Sequence, residues 1–184
     1  QRQRSTIPKI AIAGYTNAGK SSLINAMTGA GVLVEDALFA TLDPSTRRAK
    51  LADGRNVVLT DTVGFVRHLP TQLVEAFKST LEEVSGADLL LHVVDGSDAF
   101  PLKQIEAVNE VLAEVTRDSG EDMPPEIVVV NKIDEADPLV LAELRHAFEK
   151  TGRTAVFVSA LTGEGIEELE ARIEQHLNSI DAHV

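Results

Sequence analysis

Gly14-Tyr15-Thr16-Asn17-Ala18-Gly19-Lys20-Ser21 combines two glycines, a lysine and a hydroxyl at the spacing of a phosphate-binding loop. It follows the apolar run from Ile10 to Ala13 and opens a helix-periodic segment carrying Leu23, Ile24 and Met27, which is the strand-loop-helix context such a loop requires. Glycine lets the backbone curl so that several N–H groups point inward, and the N-terminus of the following helix adds partial positive charge to the concavity. A polyphosphate fits there. Lys20 is expected to reach the outer phosphates as a point charge, while Ser21, followed by Ser22, supplies a hydroxyl for the Mg²⁺ that bridges them.

Three further strand-end segments carry polar groups suited to the same ligand. Asp61-Thr62-Val63-Gly64 follows an apolar run, so Asp61 is expected at the carboxyl end of a strand, where it can hold a Mg²⁺-bound water. The Gly64 N–H can approach a terminal phosphate closely. Asn131-Lys132-Ile133-Asp134 closes another apolar strand, and the Asp134 carboxylate can accept two hydrogen bonds from the N1–H and exocyclic amine of guanine. Adenine offers no such pair, which disfavours an ATP-using enzyme, because the wrong base would leave a buried carboxylate unpaired. Asn131 is expected to fix the surrounding loops and Lys132 to lie along the base plane. A backbone N–H in Ser159-Ala160-Leu161 can reach the guanine O6. Taken singly, these segments also read as an ordinary turn or a polar helix cap. Their order, each at a strand end, is what one shared pocket demands.

The elements that must position these groups are legible as alternating apolar runs and helical stripes. Strand-like runs occur at Ile10 to Ala13, Val57 to Asp61, Leu89 to Val94, Ile127 to Val130 and Ala155 to Val158. Between them, stripes at Leu73, Phe77, Leu81 and Val84, at Ile105, Val108, Leu112 and Val115, at Leu141, Leu144 and Phe148, and at Ile166, Leu169, Ile173 and Leu177 mark helices packed on a sheet. This alternation predicts an α/β fold with a mostly parallel sheet and helices on both faces. Arg47 to Leu51 and Asn56 to Thr60 flank an Asp53-Gly54 turn signal, which predicts one antiparallel edge pair. The stretch from Gly29 to Ser45 lacks clear periodicity and is expected to be functional or disordered.

Composition narrows the classes. The chain has 184 residues, no cysteine and a net charge of -12, so disulfide scaffolds and thiolate catalysis are excluded. The acidic balance argues against wrapping DNA or other bare nucleic acid over a broad surface. No apolar run has the length of a membrane span, and a soluble cytoplasmic monomer is expected. The opening Gln1 with Arg2, Arg4 and Lys9 suggests a linker remnant over residues 1–8 ahead of a nucleotide-binding domain over 9–181.

The longer phrases GYTNAGKSSL, FATLDPSTRR, LTDTVGFVRHLP, LLHVVDGSD, NKID and VSALTGEG are similar to the HflX family within the translation-factor-related P-loop GTPases, over nearly all of residues 7 to 178. The resemblance implies a P-loop NTPase G domain, a three-layer α/β/α sandwich with a six-stranded sheet and one antiparallel edge strand. It implies GTP and GDP as ligands, with the chain forming part of a larger protein that binds the large ribosomal subunit and splits stalled ribosomes. A GTPase of ribosome assembly or RNA modification is the alternative among GTPases. Phe39-Ala40-Thr41-Leu42-Asp43 matches the family's first switch, which makes Thr41 a second protein ligand to Mg²⁺ beside Ser21. Asn17 is the residue with which similar GTPases use K⁺ beside the phosphates. Many GTPases place a Gln after Asp-x-x-Gly to orient the attacking water, and Phe65 stands there in this chain. Slow intrinsic turnover is therefore expected, with K⁺ or a ribosome-ordered Arg47 or Arg67 completing the site. A binding module with negligible turnover is the limiting case.

Overall fold

The computed structural model describes residues 7–15, 18–28, 45–62, 84–120 and 122–182. Its elements are β1 (Lys9–Gly14), α1 (Lys20–Thr28), β2 (Ser45–Lys50), β3 (Asn56–Asp61), β4 (Leu89–Asp95), α2 (Pro101–Ser119), β5 (Glu126–Asn131), α3 (Pro138–Thr151), β6 (Ala155–Phe157) and α4 (Ile166–Ala182). The strands form one six-stranded sheet in the order β2-β3-β1-β4-β5-β6. All neighbours are parallel except β2 and β3, so the expected antiparallel edge is present. From β1 the chain adds β3 on one side and then crosses to β4 on the other. The carboxyl end of β1 is therefore a switch point, the place where ligands bind in open α/β sheets.

Side chains alternate across the sheet with period two, and both faces are covered. Ile10 and Ile12, Leu89 and Leu91, and Ile127 and Val129 pack with Leu23 and Ile24 of α1 and with Leu169 and Ile173 of α4. On the opposite face Ala11, Ala13 and Leu90 meet Val108 and Leu112 of α2, while Val128 and Val130 meet Ile105 of α2 and Leu144 and Phe148 of α3. Each fully buried Leu or Ile contributes about 1.5–3 kcal/mol, which is why these strands read as continuous apolar runs. Of the stripe Leu73, Phe77, Leu81 and Val84, only Val84 lies within the described residues, and it is buried. Most of the stretch from Gly29 to Ser45 likewise falls outside them.

The edge hairpin closes through a turn in which the Gly54 N–H donates to the Leu51 carbonyl, with Gly54 at φ 87. A left-handed residue after a tight turn matches the twist of the two strands, and glycine adopts it without a steric penalty. The tip is tied to α4: the Asp53 N–H donates to Glu174, and the Arg55 guanidinium donates to Asn178 Oδ1 at 2.6 Å. Among the described residues, no helix is long and apolar enough to cross a membrane.

Toward the amino ends of the central strands, buried His92 places Nδ1 3.2 Å from Glu126 Oε2, and Arg153 donates to the other carboxylate oxygen. Burial pushes the Glu126 carboxyl up, but the hydrogen bonds and charges of His92 and Arg153 outweigh it and hold the group below its ordinary value of 4.5. A folded pKa below the unfolded one stabilises the fold above the unfolded value, and this contribution disappears as pH falls through the folded value. Glu126→Gln is expected to cost about 1–3 kcal/mol near neutrality. Urea titrations at about pH 7 and about pH 3 are expected to show the deficit shrinking in acid. An equal deficit at both would show that the carboxylate charge is not what stabilises.

Candidate functional site

The phosphate loop begins where β1 ends. Ala18 N–H donates to the Tyr15 carbonyl at 3.0 Å, and Leu23 N–H donates to the Gly19 carbonyl at 3.0 Å, so the turn passes directly into α1. Gly19 has φ 87, and a Cβ on it would collide with Asn131 Nδ2; both facts require glycine. Lys20 is the first residue of α1 and is buried, with Ser21 and Ser22 half-buried beside it. Burial pushes the Lys20 ammonium down from its ordinary value, and the negative charge of Asp61 partly opposes that shift. A desolvated cation at a helix N-terminus is arranged for an anion.

Asp61, the last residue of β3, is buried, and the next residue is fastened to the central strand. The Thr62 N–H and hydroxyl both donate to the Ile12 carbonyl, at 3.2 and 2.9 Å. This brings Asp61 to the same sheet edge as Lys20. Asp61 and Ser21 each carry the kind of oxygen donor that a hard cation such as Mg²⁺ takes.

Asn131 joins this half of the site to the other. Its Nδ2 donates to the Ala18 carbonyl at 3.1 Å, and its Oδ1 accepts from the Ala160 N–H at 3.0 Å. One buried amide thus bridges the phosphate loop and the segment after β6. Asp134 is exposed, and its Oδ1 accepts from the hydroxyl of fully buried Ser159 at 2.7 Å. Ser159 in turn accepts from the Thr162 N–H, so the carboxylate is aimed by a fixed loop. Leu161, within this loop, is 82% exposed.

Of the sequence-predicted residues, Gly14, Tyr15, Ala18, Gly19, Lys20, Ser21, Ser22, Asp61, Thr62, Asn131, Lys132, Asp134, Ser159, Ala160 and Leu161 all lie at the carboxyl edge of the sheet, on the loops leaving it or in the first turn of α1. Thr16, Asn17, Phe39, Ala40, Thr41, Leu42, Asp43, Val63 and Gly64 lie outside the described residues, as do Phe65 and Arg67. Arg47 is exposed on β2. Sequence reasoning assigned no role to Asp95, which ends β4 and lies 3.3 Å from Lys132 Nζ, or to Gly96, whose N–H donates to the Asn131 carbonyl at 2.8 Å. Their signal was the phrase LLHVVDGSD at a strand end.

The fold and the sequence recur in proteins of known type. Residues 9–132 match the family described as 50S ribosome-binding GTPase. The chain is 48% identical over 177 residues to the GTPase HflX of Caldanaerobacter subterraneus, covering 96% of this chain and 38% of that protein. It is 46% identical to the GTPase HflX of Escherichia coli, covering 96% of this chain and 40% of that protein. The chain thus spans about two-fifths of the length of these relatives. Among solved structures, a GTP-binding protein from Sulfolobus solfataricus in complex with GDP superposes with a TM-score of 0.71 at 32% identity, over 94% of this chain and 53% of that one. Era in complex with MgGDPNP and a 16S ribosomal RNA fragment gives 0.73 at 26% identity, over 92% of this chain and 56% of that one. With a P-loop GTPase fold, strand-end loops gathered at one edge and a match across two-thirds of its length, the chain belongs to the family of 50S ribosome-binding GTPases.

Proposed function

We propose that residues 9–181 form the G domain of an HflX-like ribosome-associated factor, which binds GTP with Mg²⁺, hydrolyses it to GDP, and uses the difference to control docking on the large ribosomal subunit and the splitting of ribosomes in the cytoplasm. The observation that carries this reading is the Asn131 bridge, because it ties the loop suited to phosphates to the loops suited to guanine. Lys20, Gly14 to Gly19 and the α1 N-terminus bind and orient the phosphates. Asp134, aimed by Ser159, selects guanine, while Ala160 and Leu161 border the base. Ser21, Thr41 and, through a water, Asp61 would hold Mg²⁺, which would supply charge neutralisation at the phosphates. The Gly64 N–H reports the terminal phosphate, and Thr41 within Phe39 to Asp43 gains its metal partner only when that phosphate and the ion are bound.

Phe65 has no hydrogen-bonding group to orient water, so intrinsic turnover is slow and completion of the site is left to K⁺ near Asn17 or to the ribosome. The test is phosphate release from GTP by the chain and by its full-length protein, with and without large subunits, in K⁺ or choline salts. Release is expected to rise at least about tenfold with subunits for the full-length protein, a barrier reduction of about 1.4 kcal/mol. Rates indifferent to subunits would sink the ribosomal part of the proposal, and rates equal in both salts would remove K⁺.

A further inference from the structure

We infer that Asp95 is a positioning residue of the base pocket, fixing Lys132 so that its aliphatic stem stands against the purine plane. The inference rests on the guanine-nucleotide reading above. Asp95 pairs in register with Asn131, which brings the end of β4 beside the loop that carries Lys132. One Asp95 oxygen accepts from the Ser97 N–H at 2.9 Å and from the Ser97 hydroxyl, and the other lies 3.3 Å from Lys132 Nζ. The aspartate is thus immobilised by its own turn before it engages the lysine. Its side chain is only 15% exposed, so solvent screens this pair less than a surface ion pair.

Lys132 is unusual from the backbone outward. Its φ of 64 puts a non-glycine residue in the left-handed region, a conformation that persists only where the surroundings hold it. Its Cε lies 3.8 Å from where a Cβ on Gly19 would stand, so the stem runs beside the phosphate loop. A free lysine would lose much rotamer entropy on packing against a ligand. An Asp95 anchor removes that loss in advance, since ordering completed before binding no longer weakens it. Asp95 therefore serves Lys132 as Ser159 serves Asp134.

Asp95→Asn keeps the shape and the acceptor for Ser97 but replaces the charge facing Nζ. In calorimetry on the 184-residue chain, GDP affinity is expected to fall about 5- to 20-fold, the loss of a preorganised contact. The ratio of GDP to inosine diphosphate affinity should stay unchanged, because the exocyclic amine that separates them is read by Asp134. The unfolding midpoint of the ligand-free chain should move little. In a Lys132→Met background, which keeps an unbranched stem, Asp95→Asn should change the affinity less than about twofold. Independent, additive losses would overturn the inference, as would GDP binding by the Asp95→Asn chain at unaltered strength. Failure of the unaltered chain to bind GDP would instead overturn the guanine reading itself and take this inference with it.

Discussion

Lys20→Ala is expected to lower affinity for GTP and GDP by about 100-fold or more while changing the stability of the ligand-free fold little. Two charge-assisted hydrogen bonds to phosphate oxygens, at about 1.5–3 kcal/mol each, set the lower bound of that loss. The small effect on the ligand-free chain follows from two opposed consequences of burial. Lys20 is 8% exposed and its ammonium is destabilised by desolvation, with Asp61 as the charge that compensates. Alanine removes a cation that desolvation disfavours. It also leaves buried Asp61 without that counter-charge, which opposes the gain. Thermal unfolding with and without saturating GDP separates the two effects: the variant should keep its midpoint alone and lose the rise that ligand gives the unaltered chain. A variant that unfolds early without ligand would mean that Lys20 is a structural cation, and the phosphate assignment would lose its strongest support.

The residues behind that prediction were legible because they are contiguous. A loop that curls around phosphate uses neighbouring N–H groups, so its glycines, lysine and serine must lie within eight positions, from Gly14 to Ser21. The strands were legible for a different reason: a parallel sheet covered on both faces demands uninterrupted apolar residues, as in Ile127 to Val130. Their ends were less so. The last strand was expected to reach Val158 but ends at Phe157, although the Val158 N–H still donates to the Val130 carbonyl. Asp95 was hidden because its partner, Lys132, is 37 positions away and meets it only through the register of β4 on β5. His92 was hidden likewise, a polar residue inside an apolar run whose partner Glu126 lies across the same strand pair. Sequence records what a residue is. Pairing register decides which carboxylate it meets.

The same distinction governs the second large effect, a change of base preference in Asp134→Asn. Ser159 donates to Asp134 Oδ1 at 2.7 Å, and that bond also fixes which way an asparagine amide must turn. The amide oxygen takes the place of Oδ1, where the hydroxyl can still donate, and the NH₂ group takes the place of Oδ2. Guanine then meets a donor where it had an acceptor, losing one hydrogen bond to a charged group and leaving donors facing each other. GDP affinity is expected to fall about 100-fold, roughly 3 kcal/mol by that reckoning. Xanthine carries a carbonyl where guanine carries the exocyclic amine, so it can accept from the new NH₂ group. Xanthosine diphosphate should therefore outcompete GDP for the variant and lose to it for the unaltered chain, a reversal that general damage to the site cannot produce. Ser159→Ala provides the control: with no hydroxyl to set the amide, the Asp134→Asn, Ser159→Ala double variant should discriminate between the two bases less sharply. Competition calorimetry with both diphosphates reads all three chains. Equal weakening for both bases would mean that Asp134 caps the start of the following segment and does not read the base.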